Sequence, residues 1–178
     1  MTLPENQIQA RARNVRLLVL DVDGVLTDGT VAIDSSGGEA KSFSIRDGAG
    51  IVWAMKQGLE IGFLSGRPSA ATSRRAAELG VAIVTQGGTD KRVGFSEIVA
   101  RSGVEASAVA YMGDDLLDLP VMTLAGLSAC PADAVAEVRG AVNWVSQFNG
   151  GKGAVRELIE LLLRAQGTWD TVVRGHFS

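Results

Sequence analysis

The chain has 178 residues, enough for one domain with a sizeable core, and its 46% hydrophobic and 21% charged fractions are those of a soluble globular protein. A net charge of −3 with no basic run removes electrostatic support for nucleic-acid binding, and no apolar run approaches membrane-spanning length. The one cysteine, Cys130, excludes an internal disulfide, and its neighbours Ala129 and Pro131 point to a buried apolar site. Residues 1–13 are polar and lack a signal-peptide core, so the expected location is the cytoplasm.

In chain order, the first element is the aliphatic run 17–20, too short for a helix and read as a buried strand. Asp21 and Asp23 follow it, then Gly24. Residues 28–44 read as a β-hairpin, with β-prone runs at 30–33 and 41–44 and turn chemistry between them. Asp47 is expected to cap a helix over 48–57, with Gly58 as its left-handed stop. A regular alternation comes next: strand 60–64, helix 69–79 stopped by Gly80, strand 82–85, helix from Asp90 to about Arg101, strand 108–112. A helix with Pro120 near its first turn follows, then short strands at 127–129 and 141–145 with a helix between them. Val155, Leu158, Ile159 and Leu162 give the last helix one apolar stripe, entered through residues 149–153. Alternating strands and helices predict an α/β fold: a Rossmann-like, doubly wound parallel sheet with a hairpin insertion after the first strand and no separate cap domain. All 178 residues are read as a single domain, with the core over about 15–167 and a tail from 168 to 178.

The strand ends carry the chemistry. Asp21 and Asp23 follow the first strand, Ser65 and Gly66 the second, and Asp114, Asp115 and Asp118 the fourth, while the loop after the third supplies Gly87, Gly88 and Lys91. Each has a plain alternative: a helix cap for Ser65, a solvated face for Lys91 and Asp118, turns for the glycines. Their convergence on one edge of one sheet favours function. A hydroxyl backed by a helix N-terminus binds an oxyanion, and a lysine gives phosphate a point charge. Carboxylates converging without histidine or cysteine suit a hard cation such as Mg²⁺. The set reads as a magnesium-dependent phosphate site with an aspartate nucleophile.

The stretches DVDGVLTDG (21–29), SGR (65–67), Lys91 and GDDLLD (113–118) resemble, in order and spacing, the four signature motifs of the haloacid dehalogenase superfamily. The hairpin, residues 44–48, Gln86-Gly87 and residues 150–157 narrow the likeness to the small tetrameric 3-deoxy-D-manno-octulosonate 8-phosphate phosphatases, over roughly 15–167. Phosphatases of nine-carbon, sialic-acid-type sugars and the phosphatase-like tails of sugar nucleotidyltransferases share much of this pattern.

The resemblance implies that Asp21 attacks phosphorus and that Asp23 serves as acid, then base. It implies Mg²⁺ held by the Asp21 carboxylate, the Asp23 carbonyl and Asp114, with Asp115 acting behind these and Asp118 orienting Lys91. Ser65, the Gly66 amide and Lys91 would hold the phosphoryl oxygens. Substrate contacts would come from Asp23, Ser44, Ile45, Arg46, Asp47, Gly48, Gly66, Arg67, Arg75 and Lys91. Arg74, one position before Arg75, is the alternative for that contact, and Val52 stands where a basic residue is expected. The implied substrate is a phosphorylated sugar acid of lipopolysaccharide biosynthesis, and the implied assembly a homotetramer in which a neighbour closes the site.

Trp169, Val172, Val173 and Phe177 lie in a tail too apolar to be simply solvated. They either pack on their own domain or meet a neighbouring subunit, and the second is the expectation; the lone His176 is read as incidental. Two other classes stay in view. A signalling receiver domain also uses acids, a hydroxyl and a lysine around Mg²⁺, but with its phosphate-accepting Asp on a central strand. A non-catalytic interaction module would not need every motif position intact.

Overall fold

Leu17–Leu20 forms strand β1, with all four side chains buried. In a computed structural model, which describes residues 2–177, β1 lies inside a six-stranded sheet. The two-residue period of a strand sends Leu18 and Leu20 into one apolar cluster and Leu17 and Val19 into another. On either side of β1 run β4 (Glu60–Ser65) and β6 (Val109–Met112), both parallel to it. Beyond β4 lies β5 (Ile83–Gln86), and beyond β6 lie β7 (Leu127–Cys130) and β8 (Trp144–Val145). The order β5-β4-β1-β6-β7-β8 means that the chain builds outward on one side of β1 and then crosses to the other. The reversal falls between β1 and β6, where open α/β sheets bind ligands outside their strand ends. The expected doubly wound parallel sheet is the one found.

Helices cover both faces. α1 (Glu5–Asn14), α2 (Ile45–Lys56), α3 (Ala70–Leu79), α7 (Ala154–Ala165) and α8 (Trp169–Arg174) bring Ala12, Ile51, Ala76, Leu158 and Trp169 to one cluster. α4 (Lys91–Ser102), α5 (Leu119–Met122) and α6 (Ala136–Ala141) bring Ile98, Val121 and Val138 to the other. Local signals act as read at several ends: Asp90 caps α4 and Gly80 stops α3 at φ 79°, while Ser69, read as the first helical residue, is the cap of α3. No helix among the described residues is long and apolar enough to cross a membrane.

Four boundaries differ from expectation. The polar N-terminal segment forms α1 as far as Asn14, and this helix buries only Ile8 and Ala12, too sparse a pattern to announce it. The hairpin pairs β2 (Ala32–Ile33) with β3 (Glu39–Ala40), ahead of the expected second run at 41–44. Asp34 draws the turn tight, its carboxylate accepting from the Ser36 and Gly38 amides at 2.8 Å each. The run 141–145 yields only the short β8, because α6 continues to Ala141.

The fourth concerns α2, which starts at Ile45 rather than Gly48, with Ser44 as its cap; the Ser44 hydroxyl accepts from the Asp47 amide at 3.2 Å. Asp47 sits in the first turn, and its carboxylate accepts instead from the Gly153 and Arg156 amides, at 3.3 and 2.8 Å. The cap position of helix α7 is Gly153, which has no side chain to meet the free amides of the first turn, so α2 supplies the acceptor across the core.

The tail is also corrected in part. Trp169 and Val172 are buried on their own chain, with Trp169 edge-on to Trp53 at 6.1 Å. His176 meets the Trp53 ring at 5.0 Å and its Nδ1 lies 2.9 Å from the Val172 carbonyl, so it closes this packing rather than standing apart. Phe177 remains 87% exposed.

Candidate active site

At the carboxyl ends of β1, β4 and β6 a cleft of about 290 Å³ is lined by Asp21, Asp23, Gly29, Ser65, Gly66, Arg67, Lys91, Asp114, Asp115 and Leu117. Asp21 leaves β1 with its amide on the Met112 carbonyl at 2.9 Å, which fixes it beside β6. Gly24 then turns the chain at φ 89°, and a Cβ there would stand 2.0 Å from Asp114 Oδ2. Only glycine lets the first loop pass so close to the second acid. Gly150 presses on the same loop from behind, where a Cβ would meet the Gly24 carbonyl oxygen at 1.8 Å, and Gly151 donates to the Val25 carbonyl at 2.9 Å. Gly150 and Gly151 thus brace the loop that follows β1.

Lys91, at the first turn of α4, reaches Asp21 Oδ1 at 2.9 Å and Asp118 Oδ1 at 2.6 Å. Asp118 is fully buried, not a solvated residue. Tyr111 also donates to its Oδ1, and its other oxygen accepts from the Asp114 and Asp115 amides at 3.0 and 3.1 Å. Asp115, on the cleft wall, caps the short turn Leu116–Asp118, accepting from the Leu116 amide. Ser65 is buried, and its hydroxyl bonds with the Arg67 backbone, donating to the carbonyl at 3.0 Å and accepting from the amide at 3.2 Å.

The other expected contacts divide. Ser44, Ile45 and Arg46 line a second cleft of about 360 Å³ with Asp28 and Lys152; Asp28 lies on this side of the hairpin's base, and Gly29 on the phosphate side. Gly48 is buried under Arg75, whose guanidinium donates to the Ser44 carbonyl at 3.3 Å and pairs with Glu78 at 3.0 Å. Arg74 is exposed on the outer side of α3, so of the two arginines it is Arg75 that faces α2. Val52 is half-buried on α2 and brings no charge.

The family model of haloacid dehalogenase-like hydrolases matches residues 79–159. The 3-deoxy-D-manno-octulosonate 8-phosphate phosphatase KdsC of Escherichia coli (strain B / BL21-DE3) is 42% identical over 163 residues, 92% of this chain and 87% of that protein. The chain belongs to the haloacid dehalogenase-like hydrolases, in the 3-deoxy-D-manno-octulosonate 8-phosphate phosphatase subfamily. The subfamily's enzyme from Haemophilus influenzae is 41% identical, covering 90% of this chain and 89% of its own. The structure from Moraxella catarrhalis, in complex with magnesium ion, phosphate ion and KDO, superposes with a TM-score of 0.94 at 35% identity, over 97% of this chain and 99% of that one. That from Yersinia pestis gives 0.91 at 39% identity, over 93% and 89%.

The electrostatics of this hydrolase site fit a divalent cation. Oxygens of Asp21, Asp114 and Asp118 lie within 4.8 Å of one another, and Asp114 Oδ1 is buried with no partner among the described residues. Burial, then the charge of Asp118, raises Asp21 to about 6, against the pull of Lys91. Burial and the charges of Asp21 and Asp118 push Asp114 to about 8. Burial alone would lower Lys91, yet Asp21 and Asp118 outweigh it and hold the ammonium above its usual range. Carboxylates crowded out of water in this way need a hard positive charge, and an all-oxygen donor set matches Mg²⁺.

Three members of the site escaped the sequence reading. Tyr111 looked like a strand residue and nothing more. Glu39 and Lys41 lie two residues apart in the hairpin, the spacing that puts two side chains on one face of a strand. Lys41 reaches Asp23, and Glu39 pairs with Arg67 at 3.0 Å.

Proposed function

We propose that this chain removes the phosphate of 3-deoxy-D-manno-octulosonate 8-phosphate, with Asp21 as nucleophile and Asp23 as acid and base. The observation that carries the reading is the single cleft holding Asp21, Asp23, Ser65, Lys91 and Asp114 at the sheet's reversal point. The sugar follows from the likeness to the subfamily's named members over nine-tenths of the chain.

Asp21 attacks phosphorus and the alcohol departs, giving an aspartyl-phosphate that water then hydrolyses, so one hard step becomes two easier ones. Asp23 protonates the departing oxygen and then takes the proton of the water. Ser65, the Gly66 amide and Lys91 hold the phosphoryl oxygens, whose charge spreads in the transition state. The Asp21 carboxylate, the Asp23 carbonyl and Asp114 would hold Mg²⁺, whose positive charge would offset that of the acids and the phosphate together. Asp118 keeps Lys91 aimed at Asp21, and Asp115 holds the turn that carries Asp118.

The second cleft suggests how the sugar is met. Ser44, Ile45 and Arg46 stand apart from the phosphate cleft, and Ile33 and Ile45 are exposed at 69% and 83%. We read these surfaces as the contacts of a homotetramer acting in the cytoplasm, in which a neighbour closes a site that has no cap domain. Asp47 and Gly48 then serve as the frame beneath Arg46, and Arg67 and Arg75 as the cations nearest the sugar acid.

The test is phosphate release with Mg²⁺ from 3-deoxy-D-manno-octulosonate 8-phosphate against hexose phosphates, with light scattering for the assembly. A kcat/KM at least a hundredfold higher on the sugar acid is expected, from a tetramer. Equal rates on both substrates would sink the substrate assignment, and a fully active monomer the assembly.

A further inference from the structure

Lys41 is a cation that the phosphate chemistry above leaves out. It lies just beyond β3, and its side chain is fully buried. Its ammonium stands 2.7 Å from Asp23 Oδ1 and donates to Asp23 Oδ2 at 3.0 Å, with Glu39 Oε1 at 3.7 Å. Glu39 is itself held by Ser69 Oγ at 2.7 Å and Arg67 at 3.0 Å. A chain of charges therefore runs from Asp23 across the hairpin to the loop that follows Ser65.

Among the described residues no other side chain or amide donates to the Asp23 carboxylate. The loop after β1 fixes the Asp23 backbone, but a carboxylate without partners rotates about its side-chain bonds. A buried lysine loses hydration and rotamer freedom, and it stays buried here because two carboxylates face it. Its position is over-determined by Glu39, so it supplies a fixed point against which Asp23 is oriented.

We propose that Lys41 is a positioning residue, which holds Asp23 where it meets the departing oxygen and, with Glu39, fastens the hairpin over the cleft. The proposal rests on the reading of Asp23 as the acid of a phosphatase. In the first step an Asp21 oxygen forms the new bond to phosphorus as the ester bond breaks. The electron pair leaves on the ester oxygen, which takes the proton of Asp23. The carboxylate so formed stays paired with Lys41, which keeps its own protons. In the second step water adds to phosphorus, its proton returns to Asp23, and the bond to Asp21 breaks.

Phenyl phosphate and 4-nitrophenyl phosphate separate this role from a structural one. Their leaving groups have similar shape, but phenolate is the more basic and depends more on the acid. kcat/KM reports the steps up to departure of the alcohol, so the change in the ratio of the two values from wild type to variant reads proton delivery. The assay uses the full chain with Mg²⁺, wild type beside Lys41→Met, Lys41→Arg and Asp23→Asn. Lys41→Met should lower kcat/KM at least tenfold more on phenyl phosphate than on the nitrophenyl ester, in the direction of Asp23→Asn. Lys41→Arg should recover most of the difference. Where Lys41→Met does not melt cooperatively, Lys41→Gln carries the same comparison. Equal losses on both esters for the Lys41 variants, beside unequal losses for Asp23→Asn, would overturn the proposal and leave the phosphatase reading standing. Equal losses for Asp23→Asn would remove Asp23 as the acid, and the proposal with it.

Discussion

Lys91 Nζ lies 2.6 Å from Asp118 Oδ1 and 2.9 Å from Asp21 Oδ1, so one ammonium joins the end of β1 to the turn after β6. The second oxygen of Asp118 holds the Asp114 and Asp115 amides. Asp118 thus sets the cation and the second acidic loop at once. Replacing it should disturb both, although it touches no substrate in this reading. Asp118→Ala should lower kcat/KM by roughly ten- to a hundredfold, the loss of one or two charge-assisted hydrogen bonds of about 1.5–3 kcal/mol. It should also lower the melting temperature, because Lys91 and the Tyr111 hydroxyl lose a buried partner. Steady-state kinetics with a thermal melt check this, and unchanged values of both would contradict it.

Asp47 makes a different prediction. Its carboxylate accepts from two amides at the start of α7, at 3.3 and 2.8 Å, and it is 1% exposed. Asp47→Ala should destabilise the protein by about 2 kcal/mol, from the lost cap and the two unpaired amides. For a chain of this size that is a fall of about 4–8 °C in the melt. Asp47→Asn keeps an oxygen acceptor and should lose less. Equal melts for the wild type and both variants would remove Asp47 from the support of α7.

How much of this was legible in the sequence depends on the range of each signal. Leu17 to Gly29 announced itself, because four aliphatic residues ending in two acids and a glycine are local chemistry. Gly80 and Asp90 marked their helix ends for the same reason. Asp47 misled because capping is ordinarily a local act, whereas here the carboxylate caps a helix more than a hundred residues away. Helix α1 was missed because it buries two side chains and offers no stripe. Lys41 was invisible for a related reason: a hairpin gives the strand period but not the partner, and Asp23 is eighteen residues back. Trp169 and Val172 were correctly seen as apolar, but no sequence pattern says which surface a tail will meet.

Gly24 tests the closeness of the two acidic loops. A methyl group there would meet Asp114 Oδ2 at 2.0 Å, at a φ of 89° that L side chains rarely adopt. Gly24→Ala should displace Asp114 and weaken Mg²⁺ binding at least tenfold, read as a rise in the concentration needed for half-maximal activity. An unchanged Mg²⁺ titration would show that Asp114 is not held against this loop.

Metal and protons should compete. Asp21 and Asp114 have folded pKa values raised to about 6 and about 8, from an ordinary 3.8. A raised carboxyl favours folding fully only below its unfolded value, and that contribution is lost as pH rises through the folded value. The chelated protein should therefore lose stability between about pH 4 and pH 8. Mg²⁺ should raise the melting temperature more at pH 8 than at pH 5, because at pH 5 protons already neutralise the acids. Asp114→Ala should abolish most of this gain. An equal Mg²⁺ effect at both pH values would separate the cation from these carboxylates, and full activity in excess chelator would remove it from the reaction.

The most direct measurement is phosphate release by Asp21→Asn on 3-deoxy-D-manno-octulosonate 8-phosphate, beside a melting curve for the same preparation. An amide is a poor nucleophile and a weaker metal ligand, so kcat should fall about a thousandfold or more while the protein still unfolds cooperatively. Turnover within tenfold of wild type by the folded variant would contradict the covalent mechanism at Asp21.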